Sequence, residues 1–127
     1  MLIGAGIHGI AGEMLVVRKL DPAKLEPSQF GGRRMTLAMI HVTWHLTTIA
    51  FLAVGIALLL SGSVLEGDAA RGVGLAAAGM SSGFAAVALG LGAADTKTPR
   101  ALLRHPGPIA LAAVAALAWW GALSLPQ

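Results

Sequence analysis

The chain has 127 residues, of which 56% are hydrophobic and 12% are charged, and its net charge is +3. Soluble domains carry about a quarter charged residues, so this composition argues against a soluble globular domain and predicts a membrane protein. Cysteine is absent from these 127 residues, which excludes disulfides, iron–sulfur clusters and thiolate ligands within them.

The first predicted helix covers residues 2–18, an apolar segment that contains His8 and Glu13. The glycine spacing in GAGIHG matches the fingerprint of a dinucleotide-binding fold, which also requires alternating strands and helices further along the chain. No alternating strand pattern follows, so we expect no nucleotide. We also expect no nucleic acid, because a basic, aromatic-rich surface is missing. The glycines fit close packing between membrane helices better.

The connection to the second helix is short and has clear turn signals. Asp21 and Pro22 suit an N-cap and the first position of a single helical turn. Gly31 and Gly32 then interrupt the chain, and the second predicted helix covers residues 35–60. This helix contains no Lys, Arg, Asp or Glu, and it is long enough to cross a bilayer.

The third predicted helix covers residues 71–94 and is rich in small side chains. Steps of four and three residues place them in one stripe, in which we expect the glycines to mediate helix packing. The stripe consists of Gly72, Ala76, Gly79, Gly83, Ala86 and Gly90. Ser81 and Ser82 need no functional role, because serines in helices can hydrogen-bond to their own backbone.

The fourth predicted helix covers residues 106–124, with Trp119 and Trp120 suited to an aromatic belt at the membrane interface. Basic residues cluster in the first and third connections, which the positive-inside rule places in the cytoplasm. These residues are Arg18, Lys19, Lys24, Arg33, Arg34, Lys97, Arg100 and Arg104. We therefore expect both termini on the non-cytoplasmic side, with His105 at the cytoplasmic interface.

Ionisable residues inside a bilayer are costly, so those in the first two helices are the candidate functional residues. His41 and His45 are four apart and share one helix face. In an antiparallel pair of helices, His8 lies level with His45, and Glu13 lies level with His41. On an ideal α-helix His8 and Glu13 are about 140° apart. We therefore expect one of them to face the second helix and the other to face a different neighbour.

Three chemical uses fit these four residues. His8, Glu13, His41 and His45 offer ligand types that bind zinc, copper, iron or manganese. Alternatively, His8 and His45 could bind a haem as axial ligands, with room for the macrocycle beside the small residues of the first helix. In the third use, Glu13 and His41 relay protons. Histidines in membrane helices also serve simply as hydrogen-bonding groups.

Two motifs resemble those of a group of small bacterial four-helix membrane proteins. HGIAGE, from His8 to Glu13, is similar to that family's His-x-x-Gly-Gly-Glu-like first helix. TWHLTT, from Thr43 to Thr48, is similar to its Trp-His-x-x-Thr second helix. The resemblance covers mainly the first half of the chain. It implies a location in the bacterial cytoplasmic (inner) membrane and implies no particular reaction.

The sequence therefore predicts an all-α, integral membrane four-helix bundle that forms a single domain over residues 1–127. The first functional hypothesis is a His/Glu cluster that binds a transition metal or haem, or relays protons. The alternative is a cofactor-free accessory subunit that packs into a larger complex, or into a homo-oligomer, through its glycine and alanine faces. With so little mass outside the bilayer, independent catalysis on a soluble substrate is not expected. The sequence leaves open which metal and which partner are bound.

Overall fold

The structure is a computed structural model that describes residues 1–95 and 106–125. Over these residues the fold is all-helical, with four helices and no strands, as predicted. Helix α1 covers residues 2–15, and helix α2 is Gly32–Ser63. Helix α3 is Gly67–Asp95, and helix α4 is Gly107–Ser124.

Helices α2, α3 and α4 are each long and apolar enough to cross a membrane. Helix α1 differs from them, because 14 residues at 1.5 Å per residue extend only about 21 Å, less than a hydrocarbon core of ~30 Å. Val16 leaves the helical region at φ −121° and a short 3₁₀ turn, Val17–Lys19, follows. The first helix is therefore shorter than the sequence suggested.

The connection between α1 and α2 follows the predicted turn chemistry. Asp21 accepts a hydrogen bond at 2.9 Å from the backbone N–H of Ala23, and Pro22 opens the 3₁₀ turn Pro22–Lys24. Gly32 has φ +71°, a left-handed conformation that glycine adopts without steric cost, and it begins α2 directly. The second helix consequently starts three residues earlier than predicted. In the other basic connection, Lys97, Arg100, Arg104 and His105 lie outside the described residues.

The chain divides into two compact units, Met1–Ala53 and Val54–Gln127, and α2 begins in the first and ends in the second. In the first unit the buried side chains are Ala5, Glu13, Val17 and Phe51. Glu13 is the exception in this set, because a buried carboxylate requires a charged or hydrogen-bonding partner.

The second unit is held together by close packing of small residues from α3 and α4. The buried face of α3 includes Ala70, Ala77, Ala78, Ser81 and Ala85, and that of α4 includes Ala115, Ala118 and Ala122. A Cβ atom at Gly74 would lie 3.1 Å from the Cβ atom of Ala122 and 2.7 Å from the Ser61 hydroxyl oxygen. Glycine at this position therefore permits a close approach of the helices.

The predicted glycine stripe of α3 lies on the opposite side of the helix. At about 3.6 residues per turn, its six residues point away from the buried face. All six are exposed, and a Cβ atom at Gly72, Gly79, Gly83 or Gly90 would meet open space. Within the described part of the chain the stripe packs against nothing, so packing through it stays a prediction about another molecule.

Two predictions about single side chains in the second unit are confirmed. The Ser81 and Ser82 hydroxyls donate to the carbonyls of Ala77 and Ala78, four residues earlier, at 2.8 and 3.0 Å. Ser82 also accepts a hydrogen bond from the Trp119 indole N–H at 2.9 Å, which links α4 to α3.

Candidate metal centre

Helix α1 changes its hydrogen-bonding pattern in the middle, and this change determines which side chains face α2. Leu2–Gly6 and Glu13–Leu15 are α-helical, whereas Ile7–Gly12 between them is a π-helix. In a π-helix the hydrogen bonds run from i to i+5, so residues five apart lie roughly one turn apart. His8 and Glu13 are five apart, and both side chains contact α2. The expectation that they face different neighbours was wrong, because it assumed an ideal α-helix.

Glu13 lies against the two histidines that share a face of α2. Its Oε1 atom is 3.9 Å from His41 Nδ1, and its Oε2 atom is 3.7 Å from His45 Nε2. One potential ligand atom from each of the three residues can be chosen so that all lie within 4.8 Å of one another. The sequence predicted that Glu13 lies level with His41, and the two side chains do lie side by side. His45, one helical turn further along α2, also lies next to Glu13.

The two oxygens of Glu13 have different surroundings. Oε1 accepts a hydrogen bond at 3.3 Å from Arg18 Nε. Oε2 is buried and has no hydrogen-bond partner among the described residues. The side chain as a whole is only 11% exposed, whereas those of His41 and His45 are 36% and 52% exposed. A buried carboxylate oxygen without a partner is costly, and its position beside two imidazoles suits a bound cation.

His8 lies in a different environment one turn away from Glu13. Its imidazole stacks on the Trp44 indole with ring centroids 4.1 Å apart and lies edge-on to Phe51 at 5.4 Å. The Trp44 indole N–H donates to the His8 carbonyl at 3.0 Å. His8 does not belong to the group of ligands that the structure forms from Glu13, His41 and His45.

The tautomer of His8 follows from the hydrogen bonds of Thr48. The Thr48 hydroxyl donates its single hydrogen to the Trp44 carbonyl at 3.1 Å, and it also lies 2.9 Å from His8 Nδ1. A hydroxyl has one hydrogen and two lone pairs, so with its hydrogen on the Trp44 carbonyl we expect His8 Nδ1 to be the donor in the second bond. In a neutral imidazole, Nε2 is then left as the acceptor.

The space expected for a haem beside the small residues of α1 is filled by side chains of α2. A Cβ atom at Gly9 would lie 2.7 Å from Thr48 Cγ2, and one at Gly12 would collide with the Trp44 ring. The small residues of α1 therefore let α2 approach closely and leave no room for a macrocycle between the two helices. The pairing of His8 with His45 across a haem receives no support from this geometry.

Three residues that contribute to this region had no predicted role in it. Trp44 and Thr48 lie one turn apart on α2 and bind His8. Arg18 was counted only as part of a basic loop, but it contacts Glu13. The separation of Glu13 and Arg18 by five residues was visible in the sequence. This separation did not predict a contact, because residues five apart are not neighbours on a regular α-helix, and the departure from α-helical geometry could not be seen in the sequence.

Comparison with family models, with curated proteins and with solved structures finds no match to this chain. The resemblance noted for HGIAGE and TWHLTT therefore stays a prediction. Over residues 1–95 and 106–125 the geometry defines an all-helical fold with three helices able to cross a membrane and a His₂Glu cluster between α1 and α2.

Proposed function

We propose that the chain is an integral membrane protein that binds a divalent transition-metal ion through Glu13, His41 and His45. The observation that carries the proposal is the proximity of the three ligand atoms, all within 4.8 Å of one another. The buried Oε2 atom of Glu13, which has no hydrogen-bond partner among the described residues, supports it, because a cation would supply a partner.

The ligand set favours particular metals. Two imidazoles and one carboxylate occur in zinc sites that keep an open position and in non-haem Fe(II) sites. Such sites need ligand–metal distances of about 2.0–2.2 Å, so the three side chains must move slightly closer together on binding. His41 and His45 are partly exposed and can do so by changing rotamer. The three ligands leave further coordination positions to water or to another ligand.

Elemental analysis of the purified protein tests the proposal. We expect close to one zinc or iron ion per chain, lost when His41 and His45 are both replaced by alanine. Glu13→Gln should lower the zinc affinity at least about tenfold, or ~1.4 kcal/mol. Glu26→Gln removes the same charge from a residue outside the cluster and should leave the affinity unchanged.

A folded protein that binds neither metal, as isolated or after reconstitution, would refute the metal site. In that case the contact between Glu13 and His41 would be assigned to proton relay, which is another use of a carboxylate and an imidazole inside a membrane. A Glu13→Gln variant that binds zinc as tightly as the Glu26→Gln control would remove Glu13 from the ligand set.

The membrane orientation belongs to the same proposal. Arg18, Lys19, Lys24, Arg33 and Arg34 all lie in or beside the connection between α1 and α2, which the positive-inside rule assigns to the cytoplasm. With the inner membrane of a bacterium as the location, crossings by α2, α3 and α4 would put the C-terminus on the non-cytoplasmic side, and a crossing by the shorter α1 would put the N-terminus there too. Cysteine labelling at Ser28 and Ser124 in intact cells would check the two sides.

A second candidate function rests on the exposed stripe of α3. In lipid, small residues on an exposed helix face permit close contact with another helix, and this stripe is uncovered within the described residues. We propose it as the surface through which the chain joins a homo-oligomer or a larger membrane complex as a cofactor-free subunit. No reaction of its own is assigned to the chain.

Association measured in detergent and in native membranes tests this candidate. Gly83→Leu should abolish the association, because a leucine there would hold the helices apart. Gly62→Leu is the matched control, since Gly62 is also exposed and meets open space but lies on α2. Equal association of the two variants would contradict the proposed surface.

A further inference from the structure

Arg18 places a permanent positive charge beside the candidate metal ligand. Its Nε atom lies 3.3 Å from Glu13 Oε1, and its own side chain is 69% exposed. It follows Glu13 by five residues, in the 3₁₀ turn Val17–Lys19 that ends the first helix. The guanidinium of arginine carries a positive charge in proteins, and this charge is part of the site.

This charge changes the electrostatic balance that a metal ion meets. The carboxylate of Glu13 and the guanidinium of Arg18 together carry no net charge, and histidines that ligate a metal are neutral. A divalent ion would therefore enter a cluster whose negative charge is already compensated. It would also be repelled by Arg18, although solvent weakens this repulsion because Arg18 is largely exposed.

We propose that Arg18 makes the site exchangeable, by competing with the metal ion for Glu13 and thereby lowering metal affinity. This inference rests on the proposed metal site. Arg18 occupies Oε1, which leaves the buried Oε2 atom to the metal together with His41 and His45. The ion is then one that the protein takes up and releases, as cargo or as a signal, and while bound it shares the single negative charge of Glu13 with Arg18.

Arg18 could instead strengthen metal binding by positioning Glu13. This opposite role agrees less well with the exposure of the two side chains. The Glu13 side chain is held by its surroundings with only 11% of its surface exposed, whereas Arg18 extends into solvent. A residue that is mostly exposed loses side-chain freedom when it is fixed and contributes little as a support. The dominant effect of Arg18 on a bound cation is therefore its charge.

The experiment compares zinc affinity and zinc dissociation rate in four forms of the full chain in lipid nanodiscs, by competition with a coloured zinc chelator. Arg18→Gln removes the charge beside Glu13, and Arg18→Lys retains a charge without the guanidinium. Arg33→Gln is the matched control, because it removes the same charge from the same unit but from a side chain that binds the Leu25 carbonyl instead.

We expect Arg18→Gln to bind zinc about tenfold more tightly than the wild type, chiefly through slower dissociation. Arg18→Lys and Arg33→Gln should remain within about twofold of the wild type. Tenfold corresponds to ~1.4 kcal/mol, a modest part of the repulsion expected between a divalent ion and a nearby, solvent-screened charge. If Arg18→Gln does not fold, Arg18→Met keeps the aliphatic stem and carries the same expectation.

The outcomes separate the two proposals. If the wild type binds zinc and Arg18→Gln binds it no more tightly than Arg33→Gln does, Arg18 does not compete with the metal and this inference is overturned. Weaker binding by Arg18→Gln would make Arg18 a positioning residue and would overturn it as well. If none of the folded forms binds zinc or, after reconstitution, iron, the metal site itself is refuted.

Discussion

Replacing Gly12 with alanine tests the packing on which the candidate metal centre depends. Gly12 lies in the π-helical segment of α1 and contacts the Trp44 ring of α2, and a Cβ atom at this position would collide with Trp44 Cζ2. Trp44 cannot move away freely, because its indole N–H donates to the His8 carbonyl. Gly6 is the matched control, since a Cβ atom there meets open space.

Both substitutions gain helix stability from alanine, but only Gly12→Ala loses stability through overpacking. Alanine in place of a helical glycine stabilises a helix by about 0.5–1 kcal/mol, and Gly6→Ala should show this gain. Gly12→Ala adds overpacking against Trp44 of about 1–3 kcal/mol and the loss of the Trp44 hydrogen bond, worth about 0.5–1.5 kcal/mol. These contributions add to an expected net loss of about 0.5–4 kcal/mol for Gly12→Ala.

The free energy of unfolding would be measured by titration with a denaturing detergent, followed by Trp44 fluorescence in a background without Trp119 and Trp120. Zinc affinity should also fall in Gly12→Ala, because displacing α1 moves Glu13 away from the histidines of α2. Equal stability of Gly12→Ala and Gly6→Ala would show that α1 does not pack on α2 through Gly12, and the geometry of the site would be wrong.

Two further predictions concern packing in the second unit and the hydrogen bond of His8. Gly74→Val should destabilise the packing of α3 on α4 by about 1–3 kcal/mol through overpacking. Gly79→Val, whose new side chain meets open space, should leave the unfolding free energy within ~0.5 kcal/mol of the wild type; a comparable loss in both would contradict the assignment of the buried face. Thr48→Val removes the acceptor for His8 Nδ1, so nitrogen NMR of labelled histidine should show the Nδ1–H tautomer in the wild type and a mixture in the variant.

Much of the site could be predicted from the sequence, for identifiable physical reasons. The spacing of His41 and His45 places them on one face of any regular helix, and α2 is regular at both positions. The antiparallel register put Glu13 at the level of His41, and the two side chains are in contact. These inferences succeed because helical periodicity depends only on local backbone geometry.

The orientation of His8 relative to Glu13 could not be predicted in this way. The segment that separates them, Ile7–Gly12, is a π-helix. Its sequence carries no composition that distinguishes it from an α-helix. The π-helical turn, which is wider than an α-helical turn, occurs where Gly9 and Gly12 of α1 lie against Thr48 and Trp44 of α2. Because this contact is tertiary, the sequence periodicity of α1 alone gave the wrong face.

The glycines of α3 show the same limit. Small residues on a membrane helix indicate close packing, but α3 carries small residues on two opposite faces, one with Gly74 and one with Gly79 and Gly83. The regular spacing drew attention to the second face, whereas α4 packs on the first, where Ala122 lies next to Gly74. Periodicity identifies a stripe, and only the partner helix decides which stripe becomes buried.

The sequence by itself determined the helical class, the helices long and apolar enough to cross a membrane, the turn at Asp21 and the types of ligand available, because these depend on composition and local backbone preferences. The tertiary structure alone decided that Glu13 meets both His41 and His45 and that Arg18 pairs with Glu13. It also decided that Trp44 fills the space beside His8. Such contacts join distant or irregular segments, and their energies arise only when the helices are packed together.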